Sequence, residues 1–83
     1  MSTIHVVYGG RNEDLEFDEV FRPDRHEALG VTNPEPRNMT PEIVKRALAN
    51  HYDVNQNEFE AHFVEINSNG NITVRPNARW GGH

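Results

Sequence analysis

Five histidines are the residues of this chain best suited to bind a metal ion or to transfer a proton. They are His5, His26, His51, His62 and His83. No two of them stand at the close spacing of zinc motifs, and the chain has no cysteine to add a thiolate ligand. We therefore predict no metal site and no cofactor, and interpret the histidines as structural or surface residues.

Carboxylates are concentrated in residues 13–19, where a pair of them could act as general acid and base. They are Glu13, Asp14, Glu16, Asp18 and Glu19. Because they alternate with apolar residues, we expect most of them to face water. The sequence has no Ser-His-Asp pattern, no phosphate-binding glycine loop and no cysteine nucleophile, and a domain this small has little room for an enclosed pocket. We predict that the protein is not an enzyme.

Gly81 and Gly82 are the third feature with possible chemistry. Glycine has no Cβ, so a Gly-Gly segment can enter a narrow tunnel and bring a carboxylate close to a nucleotide phosphate. The residues leave two interpretations open. The pair is either a tail that is activated once His83 has been removed, or an inert flexible end.

Length and charge restrict the fold and the partners. The 83 residues suffice for one domain with a thin core. The formal net charge of -5 opposes a phosphate backbone, so we expect protein partners and no nucleic acid. The first apolar run is too short for a signal peptide, and no stretch reaches membrane-spanning length. We expect a cytoplasmic monomer that does not bind membranes.

Two β-hairpins are predicted. The first joins residues 4–8 (IHVVY), which are β-branched or aromatic at four of five positions, to the alternating residues 15–21 (LEFDEVF) through a polar loop. The second joins the alternating residues 58–66 (EFEAHFVEI) to residues 72–75 (ITVR). Its turn is predicted as a two-residue type I′ turn at Asn69-Gly70, before Pro76 ends the last strand.

A helix is predicted between the hairpins, over residues 41–52. Thr40 is placed as its N-cap and Pro41 at its first position. We assign Ala49 and Asn50 to the exposed side of the helix. The core is then predicted from both periodicities, with Val44, Ala47 and Leu48 packed onto Ile4, Val6, Leu15, Phe17, Phe63 and Val74.

The segment between the first hairpin and the helix is long and proline-rich. We predict one short helical turn in it, with Asp24 as N-cap and Gly30 just past its end. Leu29 and Val31 are expected to anchor this segment to the core. A stiff extended linker (NPEPRN) is expected to follow.

Laying the helix across one face of a four-stranded mixed sheet buries all the apolar faces together, with the first and last strands parallel at the centre. This predicts an α+β fold of the β-grasp type. Residues 1–76 are assigned to the domain and 77–83 to a flexible C-terminal tail.

The chain resembles the ubiquitin-like β-grasp proteins in its opening hairpin, a helix beginning TPEIVK, a later hairpin and Gly81-Gly82. It also resembles the PRTRC system protein C family, small bacterial proteins proposed to be ubiquitin-like, in NPEP, MTPEIVKRALANHY and an NG hairpin. The resemblance implies a protein modifier or carrier that is activated at its C-terminal glycine. Its partners would be an E1-like adenylating enzyme and a metallopeptidase. The alternative is a non-enzymatic protein-interaction module with an inert tail.

Two features depart from the modifier pattern. His83 follows the glycine pair, so a peptidase would have to act first, and Pro76 and Trp80 interrupt the passage from the last strand to the tail.

The sheet face away from the helix is the expected partner-binding surface, because ubiquitin-like proteins often bind through an apolar patch there. Its predicted residues are His5, Val7, His62, Val64 and Arg75. The alternative is an ordinary solvated sheet face, since single exposed apolar residues need no explanation. We also expect His5 and His62 to face each other across the sheet.

Overall fold

A computed structural model describes residues 2–76 and contains four strands and one main helix. The strands are β1 (Thr3–Tyr8), β2 (Arg11–Glu16), β3 (His62–Ile66) and β4 (Ile72–Pro76), and the helices are α1 (Phe17–Val20), α2 (His26–Leu29) and α3 (Pro41–Tyr52). Short 3-10 helices cover Pro23–Arg25, Pro36–Asn38 and Gln56–Phe59. None of the helices in this part of the chain is long and apolar enough to cross a membrane.

The four strands form one mixed sheet in the order β2-β1-β4-β3. β1 and β4 pair in parallel at the centre, with Ile4 opposite Ile72 and Val6 opposite Val74. The two outer pairs, β1–β2 and β4–β3, are antiparallel. The predicted four-stranded mixed sheet with a central parallel pair is therefore confirmed.

α3 has the start that its sequence predicts. The Thr40 hydroxyl accepts a hydrogen bond from the Ile43 N–H at 3.3 Å, and Pro41 occupies the first turn. Its buried face contains Val44, Ala47 and Leu48, as predicted.

The prediction that Ala49 lies on the exposed side of the helix is wrong, because this residue is buried. Segments before α3 cover this second side of the helix. The Arg25 guanidinium donates to the Asn50 side-chain oxygen at 2.6 Å, and that of Arg46 donates to the Leu29 carbonyl at 3.2 Å.

The first hairpin turns more tightly than predicted. Gly9 and Gly10 have φ of 63° and 79°, and Tyr8 pairs with Arg11, which describes a two-residue type I′ turn. The return strand therefore begins at Arg11 and is over by Glu16.

The prediction of a strand over residues 15–21 is wrong beyond Glu16, because Phe17–Val20 is the helical turn α1. Phe17, Val20 and Phe21 are all buried, and their i, i+3, i+4 spacing suits one helical face. The Phe17 and Phe21 rings stack with centroids 4.5 Å apart.

The segment between α1 and α3 packs on the core through Leu29, which is buried, and Val31, which is partly buried. Gly30 ends α2 in the left-handed region with φ of 73°, as predicted. Asp24 is not the N-cap, because α2 begins at His26 and its N-cap position is Arg25. Asp24 lies inside the preceding 3-10 helix, with its carboxylate 3.4 Å from the Arg22 guanidinium.

The core lies between α3 and the covered face of the sheet, which we call the inner face. Its buried residues in the described part of the chain are Ile4, Val6, Phe17, Val20, Phe21, Leu29, Met39, Val44, Ala47, Leu48, Ala49, Phe59, Val64, Ile72 and Val74. Leu15 is partly buried against this cluster. The predicted core is confirmed except for Phe63, which is 51% exposed.

Candidate interaction surface

The sheet face that α3 leaves uncovered is the surface on which partner-binding residues were predicted, and we call it the outer face. Outward residues alternate along each strand with the buried residues of the inner face. Its residues include His5, Val7, Asn12, Asp14, Phe63, Glu65, Thr73 and Arg75.

An apolar and cationic row crosses this face. Phe63 pairs with Arg75, and the parallel register, continued by one residue, places Val7 on the other side of Arg75. The Arg75 guanidinium carbon lies 5.6 Å from the Phe63 ring centroid, which is cation–π distance. Within residues 2–76, Phe63 is the one large apolar side chain that is mostly exposed. We call Val7, Phe63 and Arg75 the Phe63 patch.

A polar row lies beside the Phe63 patch. His5 pairs with Asp14 on β2 and with Thr73 on β4, and Thr73 pairs with Glu65 on β3. The His5 Nδ1–H donates to the Asp14 carboxylate at 2.6 Å, although the Asp14 side chain is 72% exposed. The outer face thus combines a small apolar patch, one arginine and a carboxylate-rich flank.

His5, Val7 and Arg75 lie where the sequence predicted them. His62 and Val64 do not, because both point to the inner face, where Val64 is buried opposite Val74. His5 and His62 therefore lie on opposite faces and do not meet.

The reversal on β3 has a local cause. Phe59 belongs to a 3-10 helix rather than to the strand, so the apparent alternation across residues 58–66 does not continue through one element. β3 begins only at His62, and Phe63, predicted to lie in the core, lies on the outer face.

The loop between β3 and β4 also differs from the prediction. The Asn67 N–H donates to the Asn71 carbonyl at 2.8 Å, and the Gly70 N–H donates to the Asn67 carbonyl at 3.0 Å, which leaves a three-residue loop. Gly70 has φ of 93° whereas Asn69 is not in the positive-φ region, so a type I′ turn is ruled out. A one-residue difference in loop length exchanges the two faces of a strand.

His62 has a structural position at the end of the central ladder. In the observed β1–β4 register, an N–H at residue 76 would donate to the Val7 carbonyl, but proline has none. The His62 Nε2–H donates to that carbonyl instead, at 3.1 Å. The other ring nitrogen, Nδ1, is buried without a hydrogen-bond partner. His62 thus supplies the donor that Pro76 lacks.

Phe63 is the surface residue that sequence reasoning missed. The length of the loop between β3 and β4 determines its position. A three-residue loop pairs Val64 with Val74 and leaves Phe63 on the outer face. Gly81 and Gly82, the predicted activation tail, lie outside the described residues, as does the predicted flexible segment 77–83.

Among residues 2–76, no group of three or more His, Asp or Glu side chains is placed to hold a metal ion. A pocket of about 590 Å³ lies beside α1, and its lining includes Asp18, His26 and Glu35. His26 Nε2 is within 2.8 Å of the Phe21 carbonyl, which fixes that ring against the backbone.

No protein-family model matches the chain, and no curated protein or solved structure is significantly similar to it.

Proposed function

We propose that this protein is a ubiquitin-like β-grasp protein, acting as a modifier or carrier that is activated at Gly82 after His83 has been removed. The observation that carries the proposal is the central parallel pair of β1 and β4, with α3 crossing between two hairpins. This is the strand order expected for a β-grasp domain whose last strand leads into a functional tail.

The position of β4 suits that role. It pairs with β1 as far as Val74 and with β3 as far as Pro76, so the strand that precedes the tail is held in the sheet. Five residues lie between Pro76 and Gly82, and the six Cα–Cα steps from one to the other span at most about 20 Å. An adenylating enzyme could therefore hold the domain at its surface while its catalytic site receives the glycine carboxylate.

The Phe63 patch would provide the contact with such an enzyme. Arg75 directly precedes Pro76, so the patch borders the last described residue of β4. An apolar side chain beside a cation favours a partner surface with an apolar pocket and a neighbouring carboxylate. One partner could thus engage the patch and the tail together.

Mass spectrometry of the protein isolated from its native cells tests the proposal. We expect a form that ends at Gly82, and branched tryptic peptides from other proteins that carry a Trp-Gly-Gly remnant on lysine, because trypsin cleaves after Arg79. A carrier would instead show a modified Gly82 carboxylate without branched peptides. Intact His83 on every molecule, with no branched peptides, would contradict both forms of the proposal.

A second candidate is a non-enzymatic interaction module with an inert tail, and the exposure of Phe63 favours it. The two candidates differ in what removal of the tail does. Deleting residues 77–83 should leave partner binding unchanged for a module, whereas Phe63→Ala should weaken it. A modifier requires the tail as well as the patch.

A further inference from the structure

A small pocket lies on the side of the sheet opposite the Phe63 patch, between the Gly9-Gly10 turn and the end of α3. It is lined by Tyr8, Gly9, Arg11, Glu13 and Tyr52, and its volume is about 250 Å³. This is smaller than the usual 300–1,000 Å³ of pockets for drug-sized ligands. The pocket is therefore of a size for one side chain rather than for a whole metabolite.

Two tyrosine rings form its walls. The Tyr8 and Tyr52 centroids are 5.2 Å apart with an angle of 36° between the ring planes. Tyr8 also stacks on Phe59 at 4.8 Å, and Phe59 is fully buried. The buried ring holds the partly exposed tyrosines in place, and the face of an aromatic ring attracts cations.

Carboxylates accept hydrogen bonds from both tyrosine hydroxyls. The Tyr52 hydroxyl donates to Glu13, and the Tyr8 hydroxyl lies 3.5 Å from a Glu58 oxygen. Desolvation raises the pKa of Tyr52, and the hydrogen bond to Glu13 raises it further. Desolvation and the Glu58 charge likewise raise the pKa of Tyr8. The tyrosines stay neutral at physiological pH, and the negative charge at the pocket belongs to the glutamates.

The chain's own guanidinium already approaches this site. A terminal nitrogen of Arg11 lies 3.8 Å from a Glu13 carboxylate oxygen, while the Arg11 side chain is 78% exposed. A contact so long and so exposed is weak and screened by solvent. A second cation with better geometry could displace Arg11 without disturbing a buried group.

We propose that the pocket formed by Tyr8, Tyr52 and Glu13 binds the guanidinium of an arginine on a partner protein. A planar guanidinium stacks on a tyrosine face and can donate two parallel hydrogen bonds to one carboxylate. The formal net charge of -5 attracts a basic partner over longer distances. This site does not depend on the tail or on the Phe63 patch, so its test is independent of the test of the proposed function.

NMR titration of the full chain with Nα-acetyl-arginine amide tests the site, with the citrulline analogue as an uncharged control of nearly the same shape. We expect saturable shifts centred on Tyr8, Gly9 and Tyr52. Arginine should bind at least about tenfold more tightly than citrulline, because a charged donor forms the stronger hydrogen bond to a carboxylate. Equal binding of the two probes, or shifts centred elsewhere, would overturn the proposal.

Three variants test which side chains determine the affinity for arginine. Glu13→Gln should weaken arginine binding about tenfold, since the amide can still accept from Tyr52 but carries no charge. Glu65→Gln changes the net charge equally on the opposite face and should leave affinity unchanged. Arg11→Gln should strengthen binding, because it removes the competing cation and needs no change in the folded core. Unchanged affinity in both Glu13→Gln and Arg11→Gln would contradict the assignment.

Discussion

The two faces of the sheet are made by the same four strands, yet they differ in nearly every physical respect. The inner face carries fully buried aliphatic residues such as Ile4 and Val74, whereas the outer face carries His5, Thr73 and Arg75. The contrast is sharpest between neighbours, because Val64 is buried and Phe63 is 51% exposed. The larger apolar residue is the one left outside, which is the observation behind the proposed role of the outer face in partner binding.

This division is compatible with the proposed binding surface on a thin domain. Burial of apolar area on the inner face supplies most of the stability, so substitutions on the outer face should disturb folding little. Substitutions on the two faces should therefore have separable effects, on unfolding for one and on binding for the other.

The largest effect is expected at Leu48, which is fully buried in α3 against the inner face. Leu48→Ala should lower the free energy of unfolding by about 2–5 kcal/mol, because it removes buried methyl groups and leaves a cavity. Urea denaturation measures it. Leu48→Met keeps the volume and should cost less than about 1.5 kcal/mol. Equal, small losses in both variants would contradict the packing of α3 on the sheet.

The next largest loss of stability is expected when the hydrogen bond between His62 and the Val7 carbonyl is removed. His62→Phe keeps an aromatic ring but leaves that carbonyl without a donor, so we expect a loss of about 1–3 kcal/mol. Pro76→Ala restores a backbone N–H at the position that faces Val7.

The double-mutant cycle decides whether His62 replaces the missing donor. Pro76→Ala should recover part of the loss in the His62→Phe background and have less benefit in the wild type. Additive effects of the two substitutions would show that His62 and position 76 do not serve the same carbonyl.

The neighbours Val64 and Phe63 test the two faces directly. Val64→Ala should cost about 2 kcal/mol, since it removes two buried methyl groups at about 0.8 kcal/mol each and leaves a small cavity. Phe63→Ala removes more atoms but should cost less than about 1 kcal/mol, because its ring is largely exposed and mainly contacts Arg75. A larger loss for Phe63→Ala would place that ring in the core.

The smallest effect is a pH dependence at the tyrosine pocket. The pKa values of Tyr8 and Tyr52 are raised in the folded state, so folding favours the neutral phenols. The stability that these two groups contribute is fully present below pH 10, near the ordinary tyrosine pKa. It is lost as the pH rises above that value.

Urea denaturation between pH 8 and pH 11 checks this expectation. Tyr52→Phe should cost about 1 kcal/mol near neutral pH, through the lost hydrogen bond to Glu13, and should flatten the alkaline decline. An alkaline decline identical in the variant and the wild type would contradict the assignment to Tyr52.

Sequence reasoning succeeded where a single local signal determines the element. Thr40 and Pro41 fix the start of α3, and the nearly continuous apolar run of β1 indicates a central strand. It failed where a difference of one residue in loop length determines which face of a strand is buried. A type I′ turn at Asn69-Gly70 would pair Glu65 with Val74, whereas the longer loop pairs Val64 with Val74 and exchanges the faces.

The tyrosine pocket could not be predicted from the sequence for a different reason. Tyr8, Glu13 and Tyr52 come from β1, β2 and α3, and only the packing of α3 on the first hairpin brings them together. Neither periodicity nor motif spacing records such a contact. Similarly, the role of His62 depends on the β1–β4 register, which no local pattern contains.

The most direct test of the central claim is the fate of the C-terminal glycine in native cells. An N-terminally tagged full chain, a chain ending at Gly82 and a chain ending at Trp80 would be expressed there and compared on denaturing immunoblots. We expect the first two to yield tagged species of higher mass that survive denaturation, and the third to yield none. Absence of such species from all three chains, or their equal presence in the chain that lacks Gly81 and Gly82, would contradict the claim that this protein acts as a modifier through its terminal glycine.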